Sequence, residues 1–256
     1  MMIVKTSEEI ELLRLSGDLV SRTLAEVGKH VRPGVSTWDL DSIAETFIRD
    51  NHGIPGFKGY AGYPATLCTS VNDQVVHGIP SKEVILKEGD VVSVDCGAIL
   101  NGFNGDSAYT FCVGEVAPEV KQLLETTRLS LFKGIEKATS AFRMGDIGYA
   151  IQSFCEQHGY SVVREMVGHG IGKRLHERPE VPNYGHRGAG CRLKENLTIC
   201  IEPMINLGKR DIYQERDGWT ICTRDHQPSA HFELTVAIGK HQADLLSTFD
   251  YIEGKK

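Results

Sequence analysis

Ile10, Leu13, Gly17 and Val20 fall three or four positions apart, the spacing of one helix face, and predict an amphipathic helix over roughly 7–30. Ser7-Glu8-Glu9-Ile10 reads as its start signal. Further helices are predicted over 37–51, 118–138 and 146–158, with Gly closing the two shorter ones. The period then shortens. Two apolar runs, 91–98 and 106–113, flank Asn101-Gly102, a strong hairpin signal. Later strands are predicted over 197–204, 219–224 and 232–238. Helices followed by strands predict an α+β chain, with helices packed on a curved, mostly antiparallel sheet.

The pattern also repeats. The segment from Leu86 to Asp95 (LKEGDVVSVD) resembles that from Leu193 to Glu202 (LKENLTICIE), 107 positions on. The segment from Ala44 to Gly53 resembles that from Ala150 to Gly159, 106 positions on, and both end in His-Gly. Two long echoes at nearly one offset point to a duplicated half, with the boundary near Gly114 to Pro118. The chain is expected to be one domain, 1–256, built of two pseudo-symmetric halves, about 6–114 and 117–238. If they share one sheet, equivalent positions face each other across a pseudo-two-fold axis.

Composition changes this picture little. The chain has 256 residues, 41 % hydrophobic and 24 % charged, with a net charge of −6. That balance disfavours a nucleic-acid or anionic-membrane surface as the main partner. The seven Cys are odd in number, mostly within apolar runs, and expected to be reduced and packed. No signal peptide or membrane span is legible, so a cytoplasmic location and a monomer are the expectation.

The repeat superposes Asp95 on Glu202, each ending an apolar strand. A second acid opens the next strand of each half: Asp106 in Gly105-Asp106-Ser107, Glu233 in Phe232-Glu233-Leu234. No Lys or Arg lies in these strands to pair with them. Burying such carboxylates unpaired is costly, and four together repel one another. Two divalent ions would resolve both problems. His169, between glycines in Val167-Gly168-His169-Gly170-Ile171-Gly172, supplies an imidazole that ligands can approach closely. Four carboxylates and one imidazole suit Co, Mn, Fe or Zn rather than Ca or Mg. His77 lies in the repeat-related counterpart of the His169 segment, and His176 follows in Leu175-His176-Glu177. Each acid or His taken singly reads as surface, cap or core; only the repeat makes them a set.

These segments also resemble a known family. Val-Val-His-Gly-Ile-Pro at His77, Val-Asp at Asp95 with Gly-Asp at Asp106, Gly-His-Gly-Ile-Gly at His169, Leu-His-Glu at His176, Ile-Glu-Pro-Met at Glu202 and Phe-Glu at Glu233 resemble, in this order, type I methionine aminopeptidase. The resemblance runs from about Thr6 to Ile238 and implies the duplicated pita-bread fold. It further implies that Asp95, Asp106 and Glu233 bind one metal and that Asp106, His169, Glu202 and Glu233 bind the other. Glu202 would shuttle protons, His176 would donate to the carbonyl oxygen, and His77 would hydrogen-bond the scissile amide or the next residue. Tyr60, Tyr63, Cys68 and Trp219 match the methionine-pocket wall. The substrate would be the N-terminus of a nascent polypeptide with a small second residue, which implies transient ribosome contact. The short span from His176 to Glu202 leaves no room for the type II helical insertion.

The chain departs from the family at Leu175, usually aromatic, at Met166 and Val167, and at Ser93, commonly Asn. His231 and Leu234 also stand where Gln and His are frequent. Two competing readings remain in view. The proline-directed peptidases of this fold carry an extra N-terminal domain. A metal-free binding protein would be expected to lose ligands.

Overall fold

The computed structural model describes residues 2–255. Four helices form where the apolar spacing places them: α1, Ser7–Gly28; α2, Thr37–Asp50; α3, Pro118–Ile135; and α4, Met144–Gln157. The start signal of α1 sits one residue earlier than read. Thr6 is the N-cap, its hydroxyl accepting from the Glu9 amide while the Glu9 carboxylate accepts from the Thr6 amide, both at 3.2 Å. Ser36 and Asp39 cap α2 in the same way. Gly159 turns the chain after α4 at φ 84°, as a C-terminal Gly should. After α2 the left-handed residue is His52 (φ 64°), not the following Gly.

The strands form one nine-stranded antiparallel sheet and two of three strands. In spatial order the large sheet runs Ile54–Pro55, Val91–Leu100, Phe103–Cys112, Glu233–Ala237, Thr198–Ile201, Gly168–Gly170, Glu177–Val181. Leu67–Val71 also pairs Val91–Leu100, and Asp244–Leu245 pairs Glu233–Ala237. The expected hairpin is present, with Leu100 opposite Phe103. Its turn residues have φ 52° (Asn101) and 79° (Gly102), which few other dipeptides adopt without strain.

The strand read over 197–204 is in fact two. Thr198–Ile201 stays in the large sheet, while Met204–Asn206 pairs Ser229–His231 in a small one. Pro203 has no N–H to continue the ladder, so the chain changes sheet there and leaves Glu202 at the break.

Two large apolar clusters back the sheet. One centres on α3, α4 and the strands of the second half, and the other on α1, α2 and the Val91–Leu100 hairpin. Helix α1 comes very close to the C-terminal segment: a Cβ on Gly17 would lie 2.1 Å from the Leu246 carbonyl oxygen. All seven cysteines are free thiols.

Candidate metal centre and active site

Strand register brings the acids together. Asp95 and Glu233 both sit opposite Ala108, one on each side, so the smallest side chain separates two carboxylates along one rung. Cys68 extends the rung beyond Asp95. Asp106 is two residues before Ala108 and therefore on the same face. Its partner across the hairpin is Gly97, which brings no side chain. Glu202 enters from the strand next to that of Glu233, and His169 from Gly168–Gly170, next again.

Asp106 and Glu233 are buried, and Asp95 and Glu202 open partly to a cleft of about 660 Å³. No Lys or Arg pairs with any of the four among the described residues. Their nearest counter-groups are imidazoles: His169 Nε2 lies 3.7 Å from Asp106 and 3.6 Å from Glu202. Burial pushes the Asp95 carboxyl up to about 7. Burial, then the charges of Glu233 and Asp95, raises Asp106 well above its usual range. Glu202 and Glu233 are raised for the same reasons, burial first and neighbouring carboxylates second.

Four crowded carboxylates fit a cation. Asp95 Oδ1, Asp106 Oδ1 and Glu233 Oε1 are buried oxygens with no hydrogen-bond partner among the described residues. Asp106, His169 and Glu233, joined by Cys200, place donor atoms within 4.8 Å of one another. His169 is prepared for ligation. Its Nδ1 lies 2.9 Å from the Gly170 carbonyl, which only accepts, so Nδ1 carries the proton and Nε2 keeps its lone pair. Burial, with the neighbouring His176, holds this imidazole down at about 3, hence neutral.

The other two histidines face the same cleft. His77 sits in the left-handed region at φ 61°, a strained conformation for a non-Gly residue. The residue after it is held by the Tyr63 hydroxyl, which is shared between the carbonyls of Leu67 (2.9 Å) and Gly78 (3.0 Å). Burial holds His77 at about 4. The His176 ring packs edge-on against His169 at 4.2 Å, and its Nδ1 lies 2.7 Å from the Tyr60 hydroxyl. Burial against the cleft wall lowers His176 as well.

Beside the acids lies a small apolar cluster of Phe57, Tyr63, Ala65, Cys68 and Leu175, with Trp219 against it. Trp219 meets Tyr63 edge-to-face at 5.0 Å. Tyr60, by contrast, is 41 % exposed and stands at the rim.

All eleven residues singled out in the sequence (Tyr60, Tyr63, Cys68, His77, Asp95, Asp106, His169, His176, Glu202, Trp219 and Glu233) line this one cleft. Sequence reasoning missed Phe57 and Cys200, and noted His231 only as a departure from the family pattern. Cys200 was detectable by alternation, since it precedes Glu202 by two on one strand and so shares its face. Its thiol meets the Thr235 hydroxyl at 3.4 Å. His231 is fully buried with Nε2 unpartnered, 3.8 Å from Glu202 Oε2. Among the departures, Ser93 bonds Thr110 across the hairpin at 2.8 Å, and Thr110 in turn grips the backbone of His231.

Comparison with known proteins agrees with this geometry. Residues 11–240 match metallopeptidase family M24. A methionine aminopeptidase of Clostridium acetobutylicum is 49 % identical, spanning 96 % of this chain and 99 % of its own. Methionine aminopeptidase 1 of Bacillus subtilis is 47 % identical over the same shares. The crystal structure of the Rickettsia prowazekii methionine aminopeptidase superposes with a TM-score of 0.95 at 41 % identity, covering 97 % of this chain and all of that one. The chain belongs to metallopeptidase family M24, among its methionine aminopeptidases, and has their pita-bread fold.

Proposed function

We propose that this chain removes the N-terminal methionine from nascent polypeptides whose second residue is small, using two divalent ions. The observation that carries this reading is the junction of four carboxylates, none paired with a Lys or Arg among the described residues, with an apolar recess inside one cleft. Asp95, Asp106 and Glu233 would hold one ion, and Asp106, His169, Glu202 and Glu233 the other. When bound, Co, Mn, Fe or Zn would lower the pKa of water and polarise the substrate carbonyl.

The chain's own residues supply the rest. Glu202, at the break between two strands, takes a proton from the attacking water and delivers it to the leaving amine. Tyr60 donates its hydroxyl proton to His176 Nδ1, which leaves an N–H on Nε2. That N–H stabilises the carbonyl oxygen as negative charge develops. His77, held neutral, would hydrogen-bond the scissile amide or the next residue. Phe57, Tyr63, Cys68, Leu175 and Trp219 close around the methionine side chain. The recess discriminates by size, where one methylene is worth about 1–3 kcal/mol.

We further infer one catalytic domain of two related halves, about 6–114 and 117–238. The sheet order supports it: the Asp95 strand flanks the Asp106 strand as the Glu202 strand flanks the Glu233 strand. The substrate implies transient work at the ribosome, and we take the protein to be a cytoplasmic monomer. Among the described residues, no helix is long and apolar enough to cross a membrane.

The test is incubation of metal-stripped protein with Met-Ala-Ser and with Xaa-Pro peptides, with and without Mn²⁺, Co²⁺ or Fe²⁺. Release of methionine only when metal is added is the expected result. Cleavage of the Xaa-Pro bond alone, or no hydrolysis with any metal, would overturn the reading.

A further inference from the structure

We propose that Lys5, in the segment before α1, is a positioning residue for His176, acting through a buried ion pair with Glu177. The proposal rests on the reading above that His176 serves the reaction. Lys5 Nζ lies 2.6 Å from Glu177 Oε2, and the two side chains are only 3 % and 4 % exposed. Glu177 is the residue after His176 and itself borders the cleft.

The pair sits where the loop can be held from both ends. On one side, Lys5 is tied to the second half: its amide donates to the Asn196 carbonyl at 2.9 Å, and Val4 bridges Leu197. That is the entry to the strand Thr198–Ile201, which Glu202 directly follows. On the other side, Glu177 pairs with Gly170 in the sheet, next to His169. Its Oε1 also accepts from the Arg174 amide at 3.4 Å, so the carboxylate that holds Lys5 also reaches back across His176 to the chain before it. Gly172 packs directly on the pair: a Cβ there would lie 2.5 Å from Glu177 Oε1 and 2.8 Å from Lys5 Nζ. The Gly172 carbonyl accepts from the Asn104 amide at 2.9 Å and its side chain at 3.0 Å. The 170–177 turn is thus clamped on the strand hairpin that carries Asp106.

A buried ion pair is a weak stabiliser, because desolvation offsets most of its attraction and apolar isosteres often do as well. What it supplies is geometry. An ammonium at 2.6 Å permits one placement of Glu177, and with it one placement of the adjacent imidazole relative to His169. Displacing a catalytic group by even an ångström costs rate steeply.

The experiment is a double-mutant cycle on metal-loaded full-length protein, with kcat, KM, bound metal and Tm measured for each variant. Lys5→Met alone should lower kcat about tenfold, with KM within about twofold and metal content unchanged. In a His176→Ala background the same substitution should change kcat by less than about twofold. An equal fall in both backgrounds would mean a purely structural role and would overturn the proposal, as would full activity of Lys5→Met. Should the lone Glu177 carboxylate prevent folding, Lys5→Met with Glu177→Gln removes both charges and is read in the same two backgrounds by the same criteria. Wild-type activity in His176→Ala would instead strike at the role of His176, and the proposal would fall with it. Failure of wild-type protein to release methionine would refute the function itself.

Discussion

A neutral imidazole has one N–H, so what binds one ring nitrogen decides what the other can do. At His169 a carbonyl takes the proton side and leaves a lone pair toward the acids. At His176 the Tyr60 hydroxyl lies against Nδ1, and on the proposed reading it donates there and leaves an N–H on Nε2 toward the cleft. Two histidines 4.2 Å apart are thereby assigned opposite tasks. Tyr60→Phe should lower kcat about two- to tenfold, the worth of one hydrogen bond, with bound metal unchanged. An unaltered kcat would remove Tyr60 from the proton arrangement. Glu202→Ala should abolish turnover while the protein stays folded by circular dichroism; equal activity would sink the proposed proton route. Burial also makes a pH prediction at His77, held at about 4 against about 6.5 when unfolded. Between these values the unfolded chain binds a proton that the native ring refuses. The contribution is complete above about 6.5 and is lost as pH falls toward 4. Stability of His77→Asn should therefore fall less steeply than wild type over that window, as read from denaturant midpoints; parallel curves would contradict the burial.

At the scale of elements, helix α1 offers a test in which two effects compete. Ala for Gly17 would gain up to ~1 kcal/mol of helix propensity. The added Cβ would lie 2.1 Å from the Leu246 carbonyl, a backbone atom that cannot rotate away. Overpacking of that kind costs ~1–3 kcal/mol, so it wins. Gly17→Ala should lower Tm, and a raised Tm would show that the C-terminal segment yields. The same helix was legible in the sequence because its apolar spacing and its cap are local signals. So was the hairpin, since Asn101-Gly102 encodes its own turn, and with it the placement of Asp95 and Asp106. The strand Gly168–Gly170 was not, because three residues of Gly-His-Gly carry no period. Pro203 did announce the end of a strand, yet the hydrophobic run across it reads as continuous. Lys5 was invisible for a different reason: its partner lies 172 positions away, and a lone Lys before a helix carries no signal of burial. Cys200 looked like packing because its neighbours Ile199 and Ile201 are packing, while the thiol itself turns toward the acids.

Across the whole molecule, the acids tie stability to metal. The central strands place Asp95 and Asp106 from one half against Glu233 and Glu202 from the other, so each half contributes two charges that the other must tolerate. Without a cation the carboxyls meet that cost by holding protons, Asp95 up to about 7 against about 3.9 when unfolded. A raised carboxyl favours folding fully below its unfolded value, and that support is lost as pH rises through its native one. The metal-free protein should therefore lose stability between about pH 4 and 7 from this group. Divalent ions reverse the trend, because they require the deprotonated carboxylates and bind the native state alone. At 100 times the dissociation constant a single ion adds about 2.7 kcal/mol. The gap in Tm between Mn²⁺-loaded and chelator-treated protein should consequently widen as pH is raised from 4 to 7. Calorimetry at several pH values measures it directly, with His169→Ala, which removes the imidazole of the proposed ligand set but no carboxylate, as a comparison. That variant should narrow the gap at pH 7 while keeping its widening with pH. A gap independent of pH in wild-type protein would mean that the four carboxylates are not the groups that hold the ions.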